Sequence, residues 1–182
     1  IRDFVKKEVS PIIEKVCQTC EFPKHLLPKL GELGCFGPFI PSQFGGAELD
    51  QISYGLIMQE LERGDSGIRS TASVQSSLVM YPIFAYGTEE QKNKYLKKLA
   101  TGELMGCFGL TEPNHGSNPA GMETSFEDKG DFFLLNGSKL WISNSPFSDI
   151  AVVWAKNNQN RIQGLIVETD LEGVSAPETH NK

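Results

Sequence analysis

Apolar residues recur at helical spacing through the first hundred positions and switch to a β pattern after Gly102. Phe4, Val5, Val9, Ile12, Ile13 and Val16 mark the first helical face. Ser10-Pro11 interrupts it with an N-cap residue followed by proline, so two helices should meet there. Pro23 opens another helix with Leu26, Leu27, Leu30 and Leu33 as its stripe, and Gly34 ends it. Residues 35–50 read as a loop that packs down on its aromatics. Asp50 caps a helix with Tyr54, Ile57, Met58 and Leu61 inward, stopping near Gly64. The next helix, about Ser66 to Met80, is rich in small and polar residues, with Arg69, Ser73 and Ser76 on one face. Thr88-Glu-Glu-Gln91 is a capping box for a helix that carries Tyr95, Leu96 and Leu99 and ends at Gly102.

Beyond that point Leu104 to Leu110 reads as an apolar strand with glycines inside it. Phe132 to Leu135 and Lys139 to Ile142 flank Asn136-Gly137, the strongest short hairpin signal. Ile150 to Ala155 and Ile162 to Glu168 form a second pair around residues 157–160. About five strands are too few for a comfortable closed barrel. The expectation is an α+β multidomain chain: an all-α helical domain over residues 1–103, then an incomplete β-barrel-like domain over 104–182.

Composition narrows the function classes. A net charge of −6 over 182 residues argues against a general nucleic-acid surface, which needs a basic face. No apolar run approaches membrane-spanning length, and no secretory or transit segment is visible. The chain starts at Ile1 without a cap and stops at Lys182 without a stop signal, which reads as a fragment of a longer protein. Cys17 and Cys20 have the spacing of a redox or zinc pair, but no second pair follows, so reduced, packed or surface thiols are expected. A reducing compartment fits them.

The stretch Gly106 to Ser117 carries the strongest hint of a site. Glycines inside a strand mark close approach by another backbone or a ligand. The following loop offers Thr111, Ser117 and backbone N–H groups to a polar planar ring or a phosphate, although a plain surface turn has the same composition. Trp141, followed by Ser143, offers a flat wall with a hydrogen-bonding edge; the alternative is a core Trp followed by a turn Ser. The Arg69, Ser73, Ser76 face suits a carboxylate, or is a solvated helix face. Glu60 and Glu62 read as surface or ion-pair carboxylates, and Glu112 as a turn stabiliser or, alternatively, a catalytic carboxylate. His25, His115 and His180 have no companions that would make a metal site or a triad, and no nucleotide-loop, zinc-protease or nucleophile-elbow motif is present.

Two long motifs, Gly109-Leu-Thr-Glu-Pro-Asn-His-Gly-Ser117 and Asn136-Gly-Ser-Lys-Leu-Trp-Ile-Ser-Asn144, resemble the acyl-CoA dehydrogenase family at that family's spacing. Glu62-Arg-Gly-Asp-Ser-Gly-Ile-Arg-Ser-Thr-Ala-Ser-Val-Gln-Ser-Ser77 resembles the glutaryl-CoA dehydrogenase branch. The resemblance implies a helical domain, a middle β-domain and a C-terminal four-helix domain absent here, with FAD lying between the last two. It implies that Phe108, Gly109, Leu110, Thr111, Ser117, Trp141, Ile142 and Ser143 line the flavin. It further implies that Arg69, Ser70 and Ser73 hold the substrate's distal carboxylate, with Ser117 on the CoA side.

The implied reaction is oxidative decarboxylation of glutaryl-CoA to crotonyl-CoA, a step of lysine and tryptophan degradation. Another short or branched acyl-CoA, or a non-catalytic acyl-CoA-binding role, is the alternative. Electron-transfer flavoprotein would be the acceptor and a homotetramer the assembly, cytoplasmic in a bacterium (the favoured setting) or in the mitochondrial matrix of a eukaryote. The family's base lies in the absent domain, so no catalytic residue and no metal ligand is assigned here, and the fragment alone should be inactive. Ser143 stands where Thr is commoner and Asn118 where Asp is usual.

Overall fold

The computed structural model describes residues 1–179, in two compact units, Ile1–Met105 and the chain from Gly106 onward. His180 lies outside the described residues.

In the first unit, α1 (Arg2–Phe4) runs on as a wider π-turn over Val5–Val9, and Ser10-Pro11 separates it from α2 (Ile13–Thr19). Helices α3 (Leu27–Glu32), α4 (Gln51–Gly64), α5 (Ser66–Ser73), α6 (Tyr81–Tyr86) and α7 (Glu89–Thr101) complete it. Local chemistry accounts for the ends. Asp50 accepts from Ser53 N at 2.7 Å, Asp65 accepts from Ile68 N at 2.8 Å, and the Thr88–Gln91 capping box closes in both directions. Phe36, Ile40 and Phe44 of the 35–50 loop are buried, so the loop packs down as its aromatics suggest.

The core of this unit gathers Leu30, Phe36, Leu61, Ile68, Met80, Leu96 and Leu99, each fully buried. Burial of each such side chain contributes roughly 1.5–3 kcal/mol. Helix α3 crosses the end of α7 so closely that a Cβ on Gly31 would stand 2.1 Å from the Thr101 carbonyl oxygen.

The polar helix differs from its sequence reading. It continues past Met80: α5, a π-turn over Val74–Met80 and α6 follow one another without a break. The wide turn directly precedes Pro82, which has no N–H and whose ring crowds the carbonyl one turn back. Two polar residues of this helix, Gln75 and Ser76, are fully buried. The Gln75 amide donates to the carbonyls of Leu99 and Leu104, both at 2.9 Å, which satisfies the end of α7.

The second unit is a mixed five-stranded sheet: β1 (Gly106–Gly109), β2 (Ser125–Asp128), β3 (Phe133–Asn136), β4 (Ile150–Lys156) and β5 (Ile162–Glu168). β4 is its spine. β5 pairs antiparallel along the whole of β4, while β1 runs parallel to it from Gly106↔Ile150 to Gly109↔Val153. β2 joins at the far end through Ser125↔Lys156 and pairs antiparallel with β3. Cys107, Met122, Phe126, Ile150, Val152 and Ala155 are buried beneath these strands.

The expected hairpin about Asn136-Gly137 is absent. Lys139 to Ile142 is not a strand, and the real partner of β3 is β2, which its alternating polar residues concealed. The hairpin turn sits instead at residues 128–132, where the Asp128 carboxylate accepts from Gly130 N at 2.8 Å and Gly130 has φ +90°. Asn136-Gly137 serves a different purpose. Gly137 has φ +151°, and a Cβ there would strike Thr124 at 2.4 Å, so the glycine lets the chain leave β3 across Thr124.

Candidate functional site

The strand β1 and the irregular segment 139–144 lie side by side and carry most of the residues that the two long motifs singled out. Segment 139–144 is fastened at both ends. Lys139 Nζ donates to Leu110 O at 3.2 Å, and Leu140 N donates to Thr111 O at 2.9 Å, both just past the end of β1. Asn144 Nδ2 donates to Gly106 O at 3.2 Å, at its beginning. The segment therefore runs opposite in direction to the strand. A Cβ on Gly109 would meet Lys139 Cγ and Val153 Cγ2 at 3.4 Å, an ordinary contact distance, so the stem of Lys139 packs beside this glycine.

Glu112 anchors the loop after β1, and the sequence reading underrated it. Residues 112–115 close a tight turn through paired Glu112 and His115 backbone bonds. The Glu112 carboxylate is buried, with 4% exposed, and accepts from Glu123 N at 2.6 Å, Thr124 N at 3.0 Å and Thr124 Oγ1 at 2.5 Å. Lys139 Nζ completes the set at 2.8 Å. Burial alone would push this carboxyl up; the donors from Glu123, Lys139 and Thr124 outweigh it and hold it at about 2. A four-donor carboxylate of this kind joins three stretches of chain, which is more than turn stabilisation.

The individual positions fall as follows. Phe108 is half-buried and meets Trp154 edge-on, ring centroids 6.0 Å apart. Gly109 is buried, Leu110 and Thr111 are half-buried, and Ser117 is exposed. Trp141 is no core residue: it is 57% exposed and adopts φ +61°, a left-handed conformation rare for a bulky side chain. Ile142 is half-buried and Ser143 exposed. Backbone strain of this sort collects at functional sites. Asn118 is exposed and its backbone carbonyl, not its side chain, closes the turn over Pro119–Gly121.

Arg69, Ser70 and Ser73 belong to the first unit and are half-buried on α5. Arg69 Nε donates to Glu62 Oε2 at 2.5 Å, and Ser73 Oγ donates to Ser70 O at 3.0 Å. Ser76 leaves the proposed polar face: it is buried and donates to Ala72 O at 2.8 Å. Glu60 pairs with Arg2 through Nε at 3.0 Å and Nη2 at 2.7 Å. So Glu60, Glu62 and Glu112 each have a protein partner.

Among the described residues no group of three or more His, Cys, Asp or Glu is placed to hold a metal ion. Cys17 and Cys20 are exposed free thiols, while Cys35 and Cys107 are buried ones. No helix among the described residues is long and apolar enough to cross a membrane.

With this geometry in hand, the chain can be set beside known proteins. Residues 1–103 match the acyl-CoA dehydrogenase N-terminal domain family, and residues 107–182 the acyl-CoA dehydrogenase middle domain family. A probable acyl-CoA dehydrogenase, YngJ, of Bacillus subtilis is 41% identical over the whole chain and 49% of its own length. The caffeyl-CoA reductase–Etf complex subunit CarC of Acetobacterium woodii is also 41% identical, over 100% of the chain and 49% of its own. A crystal structure of a glutaryl-CoA dehydrogenase from Mycobacterium smegmatis in complex with FADH2 superposes on 100% of the chain and 46% of its own, with TM-score 0.96 and 46% identity. The chain spans about half the length of the curated relatives it matches. On these grounds the chain belongs to the acyl-CoA dehydrogenase family.

Proposed function

We propose that the chain forms the helical and middle portions of an FAD-dependent acyl-CoA dehydrogenase whose substrate is glutaryl-CoA, released as crotonyl-CoA and carbon dioxide. The observation that carries the flavin reading is the fastening of segment 139–144 along β1. It presents a broad exposed indole, Trp141, beside the hydroxyl-bearing residues Thr111 and Ser143. That donor set fits an isoalloxazine ring, which needs a flat apolar wall and hydrogen bonds at its polar edge.

When bound, FAD supplies a hydride acceptor, and the protein supplies position and field. Thr111, with the backbone beside it, would hold the polar edge of the ring, and Ser143 would donate near its reactive nitrogen. Arg69 would orient the substrate through its distal carboxylate, with Ser70 and Ser73 beside it. Glu62 occupies the Nε side of that guanidinium, so the terminal nitrogens are the edge we assign to the substrate. Glu60, Glu62 and Glu112 are engaged by protein partners and are not assigned as the proton-abstracting base. Glutaryl-CoA as substrate is supported by the 46% identity to the Mycobacterium smegmatis enzyme over the full span.

A second reading has its own observation. The CarC subunit is 41% identical over the whole chain and by name acts on caffeyl-CoA as a reductase within an Etf complex. We therefore keep an unsaturated acyl-CoA as the competing substrate and electron-transfer flavoprotein as the redox partner under either reading.

The test mixes intact, flavin-loaded protein with glutaryl-CoA or butyryl-CoA, and the same protein reduced beforehand with dithionite with caffeyl-CoA, and follows loss or return of the visible flavin band and gas release. Bleaching by glutaryl-CoA with release of carbon dioxide supports the proposal. Bleaching without carbon dioxide overturns the substrate, and protein that takes up no FAD overturns the flavin reading.

A further inference from the structure

We propose that Lys139 and Asn144 are positioning residues that clamp the Trp141–Ser143 segment along β1 and thereby set where the Trp141 indole and the Ser143 hydroxyl stand. The inference rests on the flavin reading only for what the segment is aimed at.

Three observations support it. Residues 137–143 form no strand, so no ladder of backbone bonds fixes them. Trp141 and Asn144 both hold positive φ, +61° and +69°; asparagine adopts it readily, but for a bulky residue such as Trp141 it persists only where the surroundings over-determine it. Trp141 and Ser143 are exposed and only Ile142 between them is half-buried, so burial holds the segment at one position. Fixed points at its two ends are the side-chain bonds of Lys139 to Leu110 O and Asn144 to Gly106 O, with Leu140 N on Thr111 O beside the first and Ser145 N on Ile142 O at 3.3 Å beside the second.

The Lys139 end is itself rigid. Its ammonium is held by Glu112, which Glu123 N, Thr124 N and Thr124 Oγ1 lock in turn. Its stem packs beside Gly109, whose Cβ position lies 3.4 Å from Lys139 Cγ. The Asn144 end is buried and bonds the first residue of β1. Supporting contacts of this sort decide whether a site is held tightly enough to act. Lys139 and Asn144 are assigned contact with neither substrate nor cofactor; they act through the Trp141–Ser143 stretch between them.

The test uses Lys139→Met and Asn144→Ala in the intact protein, together with the double variant Glu112→Gln/Lys139→Met, which leaves no buried charge uncompensated. Amide hydrogen exchange is read on peptides covering 140–145 and, as a control, on α7; flavin affinity and the visible spectrum are read in parallel. Faster exchange by about tenfold or more over 140–145, with α7 unchanged, is expected for every folded variant. Flavin affinity should fall by about tenfold with a shifted visible band. A folded variant whose 140–145 exchange matches the parent overturns the proposal. Faster exchange with unaltered flavin affinity upholds the clamp and instead removes Trp141–Ser143 from the flavin wall, so the two failures are separable.

Discussion

Lys139 Nζ stands 2.8 Å from Glu112 Oε1 with 10% and 4% of the two side chains exposed, so a buried ion pair joins the loop after β1 to the segment beside it. Removing one partner of such a pair strands the other charge in the interior, at a cost of roughly 3–5 kcal/mol. Removing both charges together is far milder.

The same pair makes stability depend on acidity. Glu112 is held at about 2, against an ordinary value of 4.5. Its contribution is complete above the ordinary value and is lost as pH falls from about 4.5 through about 2. The full span is worth about 3 kcal/mol. Urea unfolding of the parent and of Glu112→Gln at pH 5 and pH 2 should show their stability difference shrinking by an amount of that order. A constant difference across the range would count against the ion pair.

Two glycines should respond to alanine with opposite signs. Gly31→Ala places a methyl 2.1 Å from the Thr101 carbonyl oxygen and should destabilise by about 2–3 kcal/mol as α3 is pushed off α7. Gly55, inside α4, has nothing within 4 Å of the position a Cβ would take. Gly55→Ala should stabilise by about 0.5–1 kcal/mol through helix propensity alone. Thermal melts of both variants check the pair.

Much of the first unit was legible because its signals are local. Caps at Asp50 and Thr88, the stop at Gly102 and the leucine stripe of α3 all act within a turn or two of chain. Three features were not legible, because distant chain decides them. Gln75 looks like surface but is buried against carbonyls 24 and 29 residues away. β2, which lies between β4 and β3, has a single buried apolar residue, Phe126, among polar ones and lacks the β-branched run that would advertise it. Asn136-Gly137 carries a hairpin signature, yet the close approach of Thr124 uses that glycine for an exit. The Phe108–Thr111 and Trp141–Ser143 stretches were visible as motifs; the Lys139–Glu112 tie between them was not, because neither residue type announces its burial.

Trp141→Gly separates conformation from contact. Glycine adopts φ +61° freely, and the indole is largely exposed, so folding stability should hold or rise by up to about 1 kcal/mol. Flavin affinity should fall over the same substitution under the proposed function. Fluorescence titration with FAD beside a thermal melt reads both. Loss of stability and affinity together would mean that the indole is structural.

Arg69→Lys keeps the charge but loses the planar fork that a carboxylate engages. For a glutaryl-CoA enzyme, kcat/KM toward glutaryl-CoA should drop by about tenfold or more while turnover of butyryl-CoA holds. Equal loss on both substrates would remove Arg69 from substrate recognition and leave it as the ion-pair partner of Glu62.

The parallel pairing of β1 with β4 also dictates an order of assembly. Its neighbours form from short stretches: β2 with β3 and β4 with β5 each close over a few residues of turn. Gly106 meets Ile150 only after roughly forty residues of intervening chain have been gathered in, and loop entropy makes such a closure late. The strand that bears Phe108 and leads into Thr111 is therefore recruited onto a spine already built. On refolding, amide protection is expected to appear in β2–β3 and β4–β5 before β1, which pulse-labelled hydrogen exchange checks.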